Sequence, residues 1–145
     1  KTSMVHFALT VSSHKCQYVS ILDVFGSMAW SPSCSKFMYV AEKKREEQNE
    51  FEKFMFSEHF GEKLSSITDP VICILDIETC FVKILKLGIS DSVFPSQPVF
   101  TDEQTIFYTG IEVGSKKLGM SYIYCRASSI YFSKLHCDPA ETGNI

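Results

Sequence analysis

Apolar residues in this chain come in short runs, many alternating with polar ones, and turn-forming residues separate the runs. A period of two puts successive side chains on opposite faces of a strand, so the pattern predicts an all-β chain. Two β-prone runs open it, at residues 5–11 and 18–22, parted by Ser12-Ser-His-Lys. A hairpin follows. Its first strand, 28–30, closes on Trp30, Ser31-Pro32-Ser33 turns tightly, and the second strand runs from Phe37 through Val40.

The grammar then changes. Nine of the side chains from Glu42 to Lys53 are charged, which reads as a solvated helix or a mobile loop. Phe51, Phe54 and Met55 recur at helical spacing, so the end of this segment is expected to fold back onto the body before Gly61 stops it. Asp69-Pro70 marks a turn, and 71–77 is a β-branched run of buried-strand character. Glu78-Thr-Cys80 turns the chain, and 81–87 returns as a strand with Lys83 and Lys86 pointing outward. Pro95 and Pro98 are expected to bound a loop. Residues 99–108 then repeat the order of 30–39: an aromatic closing a strand, a polar turn, an apolar-aromatic strand. Residues 121–125 and 129–135 complete this second unit, with turns expected at Asp138-Pro139 and at Gly143.

The two units are offset by about 70 residues, against ~40 to 45 for a plain four-stranded propeller blade. An insertion at 42–68 accounts for the excess. The expected fold is therefore all-β, an incomplete β-propeller of two to three antiparallel blades with one charged, helical or looped insertion. Residues 1–25 end one blade, 26–88 form the next with its insertion, and 95–145 supply most of a third. A seven-bladed ring needs about 300 residues by the same period, so 145 residues make a sector. Lys1 at the start and the turn-like Thr142-Gly-Asn-Ile at the end both read as cuts in a longer chain.

Composition narrows the function classes. A chain 45% hydrophobic and 13% aromatic has ample material for a core. A net charge of -3 argues against general nucleic-acid binding, which wants a basic patch. No apolar run approaches the ~18 residues of a membrane-spanning helix, and no cofactor motif appears. The six cysteines show no Cys-x-x-Cys spacing and there is no Asn-x-Ser/Thr site, so they read as reduced thiols of a cytoplasmic protein. Only His136-Cys137 places two metal-ligand types side by side, and zinc wants about four.

Gly26-Ser-Met-Ala-Trp-Ser-Pro-Ser running into Phe37-Met-Tyr-Val-Ala-Glu-Lys-Lys-Arg, then Phe54-Met-Phe-Ser-Glu-His-Phe-Gly-Glu and Pro70-Val-Ile-Cys-Ile-Leu-Asp-Ile-Glu, carry a family likeness. Leu118-Gly-Met and Tyr124-Cys-Arg extend it more faintly. Over residues 20–136 the chain resembles the propeller part of acylaminoacyl-peptidases, serine exopeptidases of the prolyl oligopeptidase family. It departs at His59-Phe60, where the family has Asp-Trp, at Thr101-Asp102, where Trp/Ser-Pro is usual, and at Cys80, where a Gly often turns the chain. The resemblance implies an enzyme that removes N-acylated amino acids from blocked peptides, with a Ser-Asp-His triad in a separate α/β-hydrolase domain that nothing in this chain matches. It implies a gating or filtering role for this part, and as partners the hydrolase domain, the rest of the propeller and, through them, N-acylated peptides. It leaves homo-oligomers open.

A serine peptidase needs an exposed nucleophile. A Gly-x-Ser-x-Gly elbow lets the backbone turn sharply and exposes the hydroxyl beside oxyanion-hole amides. Of the seven glycines only Gly110 and Gly114 have the spacing, and they enclose Glu112. No spacing favours His6, His14, His59 or His136 as a base. No catalytic, cofactor or metal residue is assigned, and enzyme status for this chain by itself stays open. Trp30 reads as blade packing and the 42–53 charges as a solvated face. Phe60-Gly-Glu62 has a chamber-lining reading beside its structural one. Tyr122, Tyr124, Tyr131 and Phe132 read as alternating sheet positions with too few basic neighbours for base stacking. A non-enzymatic propeller segment used as a scaffold, or a truncated inactive product, is the rival reading.

Overall fold

The computed structural model describes residues 16–19, 25–26, 28–43, 51, 54–56, 58–61, 64–65, 67–120, 125–135 and 142–144. Nine strands are present among them, β1 (Cys16–Val19), β2 (Met28–Trp30), β3 (Lys36–Lys43), β4 (Pro70–Asp76), β5 (Val82–Ile84), β6 (Val93–Phe100), β7 (Thr105–Glu112), β8 (Ser128–Lys134) and β9 (Thr142–Asn144). They form two antiparallel sheets, one in the order β1-β3-β4-β5 with β2 also on β3, the other in the order β6-β7-β8-β9. Neither sheet closes on itself, and no α-helix occurs among the described residues. The all-β expectation holds.

Period two decides the packing. Met38 and Val40 of β3 face the same way as their partners Ile74 and Ile72 of β4, and this face joins Ile106 and Tyr108 of β7 in one core. The other face of the same strands carries Phe37, Tyr39, Ala41, Cys73 and Leu75, also buried. Strands buried on both sides read as continuous apolar runs, as β3 and β4 do. In β7 buried residues alternate with half-buried ones from Thr105 to Gly110. Each fully buried side chain of this size contributes roughly 1.5–3 kcal/mol relative to exposure.

The second sheet departs from expectation at Pro95 and Pro98. Both lie inside β6, in no loop. The strand tolerates them because it is an edge, bonded to β7 alone, and because pairing slips between Ser96 and Val99, where Gln97 takes a φ of 49°. Gly143 differs too. It lies within β9 opposite Phe132 and adds a fourth strand, where a turn was expected.

The insertion also differs at its root. Glu42 and Lys43 continue β3, and Glu42 is buried. Its carboxylate accepts hydrogen bonds from the Thr68 amide at 3.1 Å, the Asp69 amide at 2.9 Å and the Thr68 hydroxyl. Lys43 adds an amide bond to the Asp69 carbonyl at 3.0 Å and an ion pair with its carboxylate at 3.6 Å. The excursion thus leaves and rejoins the sheet through a clamp, and the rest of the helix-or-loop reading at 44–50 lies outside the described residues. Phe51, Phe54 and Met55 are 73–80% exposed, so they do not fold back onto the body. Phe60, Leu64 and Ile67 do that instead, completing the core with Phe25 and Met120. The expected strands at 5–11 and 121–125 lie outside the described residues, apart from Cys125.

Candidate functional site

Gly110 sits in β7, with no strand-to-helix turn, and a Cβ there would strike the Tyr131 ring and Val93. Glycine is required at that position for close packing. His59 is half-buried and accepts the Gly61 amide on Nδ1 at 3.1 Å, which caps a turn. His6, His14 and His136 lie outside the described residues. Phe60 is fully buried, 4.9 Å from the Phe25 ring and edge-on to Phe94 at 5.4 Å. That is a core position for Phe60, and Glu62 of the chamber-lining reading lies outside the described residues. Trp30 packs on Phe37 at 4.9 Å, on the face of the first sheet turned away from the second. Tyr131 stacks on Tyr108 at 5.6 Å toward the core, while Phe132 meets Phe107 at 6.2 Å on the outer face. Tyr122 and Tyr124 are not among the described residues.

Cys34, Cys80 and Cys125 are exposed thiols and Cys73 a buried one. Among the described residues there is no cluster of three or more metal-ligating side chains, and no helix long and apolar enough to cross a membrane.

The depressed carboxyls are turn carboxyls. Asp76 is held below its ordinary value by the Thr79 amide and hydroxyl, Asp102 by the Gln104 amide first, and Glu103 by the Ser33 amide first. Each accepts hydrogen bonds that favour the charged form.

A cleft of about 380 Å³ lies where the two sheets meet the ends of the loops. Its apolar wall comes from Pro70, Ile72, Leu85, Leu87 and Phe94, its polar one from Asp69, Asp91 and Lys117. Lys117 is half-buried. Its ammonium donates to the Thr68 carbonyl and lies 4.9 Å from the Phe94 ring centroid and 5.7 Å from that of Phe60. Its amide donates to Glu58 Oε2 at 3.4 Å, and the Met120 amide to the Phe60 carbonyl at 2.9 Å fixes the loop's far end. Such a cleft can hold a small molecule. The sequence drew no attention to it, because Lys117 stands in a polar loop and its aromatic neighbours come from segments far away in the chain.

No protein-family model matches the chain. It is 28% identical to the acylamino-acid-releasing enzyme of Sus scrofa over 78% of its own length, 28% identical to that of Rattus norvegicus over 85%, and 27% identical to that of Homo sapiens over 78%. The likeness is to acylamino-acid-releasing enzymes. These matches cover most of the chain, which spans about a fifth of the length of the relatives it matches, 19–21%. The motif blocks around Trp30 and Ile74 supply two of the strand pairs of the first sheet, so the resemblance rests on residues that also build the fold.

Proposed function

We propose that this chain is β-propeller structure from a cytoplasmic serine exopeptidase of the acylamino-acid-releasing kind, in which it screens access to an active site carried elsewhere. The observation behind this reading is the match to the curated enzymes over most of the chain but only a fifth of theirs. Two consecutive four-strand meanders, β2–β5 and β6–β9, packed on one another through β6, support it, since propellers are built from such units side by side. In this scheme a serine of the hydrolase domain attacks the carbonyl of the acylated residue, a histidine moves the proton and an aspartate orients the imidazole. The residues described above would shape the entrance and seat that domain, and perform none of the attack.

The test compares two polypeptides. The 145-residue chain is expected neither to hydrolyse an acetyl-alanine chromogenic substrate nor to react with a fluorophosphonate probe. A longer product of the same gene is expected to do both. Labelling of the short chain by the probe, or a full-length product without an active serine, overturns the proposal and favours a scaffold.

A further inference from the structure

Lys117 carries a positive charge that its surroundings leave partly unanswered. Among the described residues no carboxylate oxygen lies within ion-pair distance of its ammonium; the ion pairs there are Lys36–Glu103 and Lys43–Asp69. Asp69 lines the same cleft but is engaged by Lys43 at 3.6 Å. Glu58 meets the Lys117 backbone, and the ammonium itself meets one carbonyl and two ring faces. An ammonium has three N–H donors, so the Thr68 carbonyl leaves two for an occupant of the cleft. The ring faces of Phe94 and Phe60 attract the ammonium and hold it at the cleft wall.

Beside this cation one wall of an otherwise polar cleft is apolar. Leu85, Leu87, Ile89, Phe94 and Pro70 line it, and its volume of about 380 Å³ suits a ligand of modest size. Asp91 stands on the same lining, beside the hydroxyl pair Ser90–Ser92 at 2.9 Å. A second negative charge on an occupant would be repelled there.

We propose that this cleft binds a small monocarboxylic acid with an unbranched apolar tail, its carboxylate on Lys117 and its tail along Leu85, Leu87 and Phe94. Site and ligand class are independent of the exopeptidase reading, since the cleft needs no hydrolase domain.

The experiment titrates the 145-residue chain with hexanoate, adipate, hexylamine and hexanol, followed by saturation-transfer NMR. Hexanoate is expected to saturate with a Kd on the order of 1 mM, the three others to bind at least ten times more weakly. Lys117→Gln is expected to weaken hexanoate about tenfold, Lys117→Arg to retain it, and Asp91→Asn to admit adipate. Equal binding of hexanol or hexylamine by the parent chain overturns the proposal, as does unchanged hexanoate binding in Lys117→Gln. Should Lys117→Gln unfold by circular dichroism, the ligand series on the parent and the adipate arm of Asp91→Asn decide.

Discussion

The carboxylate of Glu103 accepts a hydrogen bond from the amide of Ser33, 70 residues earlier in the chain. Ser33 sits in the turn between β2 and β3, Glu103 in the turn between β6 and β7, so equivalent turns of the two sheets are tied to each other. Lys36 reinforces the tie, with its ammonium 3.4 Å from the Glu103 carbonyl and 3.9 Å from its carboxylate.

That tie has an acid limit. The Ser33 amide holds the Glu103 carboxyl below its ordinary value of 4.5, with Lys36 a lesser contributor in the same direction. A lowered folded-state value means the folded chain binds fewer protons than the unfolded one, so stability rises with pH. The contribution is complete above the unfolded value and disappears as pH falls through the folded one. Glu103→Gln is expected to flatten the fall in Tm between about pH 5 and pH 3 relative to the parent. Asp76 and Asp102 titrate in the same sense and keep part of the slope. An unchanged slope in Glu103→Gln would show that the tie does not form in solution.

Glu42 is the second target. Replacing it by Ala leaves the Thr68 amide and hydroxyl and the Asp69 amide without their acceptor. Loss of this charged, buried acceptor is expected to cost about 2–4 kcal/mol in urea unfolding, and Glu42→Gln about half as much. Hydrogen exchange at the Asp69 amide should accelerate in both.

At Gly110 the prediction is steric. Gly110→Ala drives a methyl into the Tyr131 ring and Val93 and should cost about 1–3 kcal/mol. Pairing it with Tyr131→Leu should recover part of the loss, which a double-mutant cycle reads as coupling. Additive losses would place the strain elsewhere.

Aromatic residues of the insertion separate by environment. Phe60→Ala is expected to cost about 3–5 kcal/mol, because the ring is buried between Phe25 and Phe94. Phe56→Ser, at a position 84% exposed, should change stability by no more than about 0.5 kcal/mol. Chemical denaturation of the two variants decides it.

The hairpins were legible because period two and a polar turn are local signals: Trp30 against Phe37 and Val99 against Phe107 pair as the alternation requires. Pro95 and Pro98 misled because proline reports a missing donor, which an edge strand can spare on its outward side and at a slip in its pairing. Gly143 misled for a related reason, since a glycine opposite Phe132 at a sheet margin looks like a turn when read alone. Glu42 was hidden inside a charged run, where composition says solvent and only the returning segment at Thr68 shows otherwise. The Lys117 cleft was illegible altogether. Its parts are brought together from positions 60, 68, 94 and 117 by tertiary packing, and no periodicity encodes that meeting.

Among the described cysteines, Cys73 is enclosed in the middle of the first sheet while Cys34, Cys80 and Cys125 lie at the surface, a contrast that gives the sheet an internal clock once Cys16 and Cys137 are replaced by serine. An alkylating reagent reaches the outer thiols at once and the inner one only when β3 and β4 part. The lag between the two reactions therefore times the breathing of the sheet, with no label added.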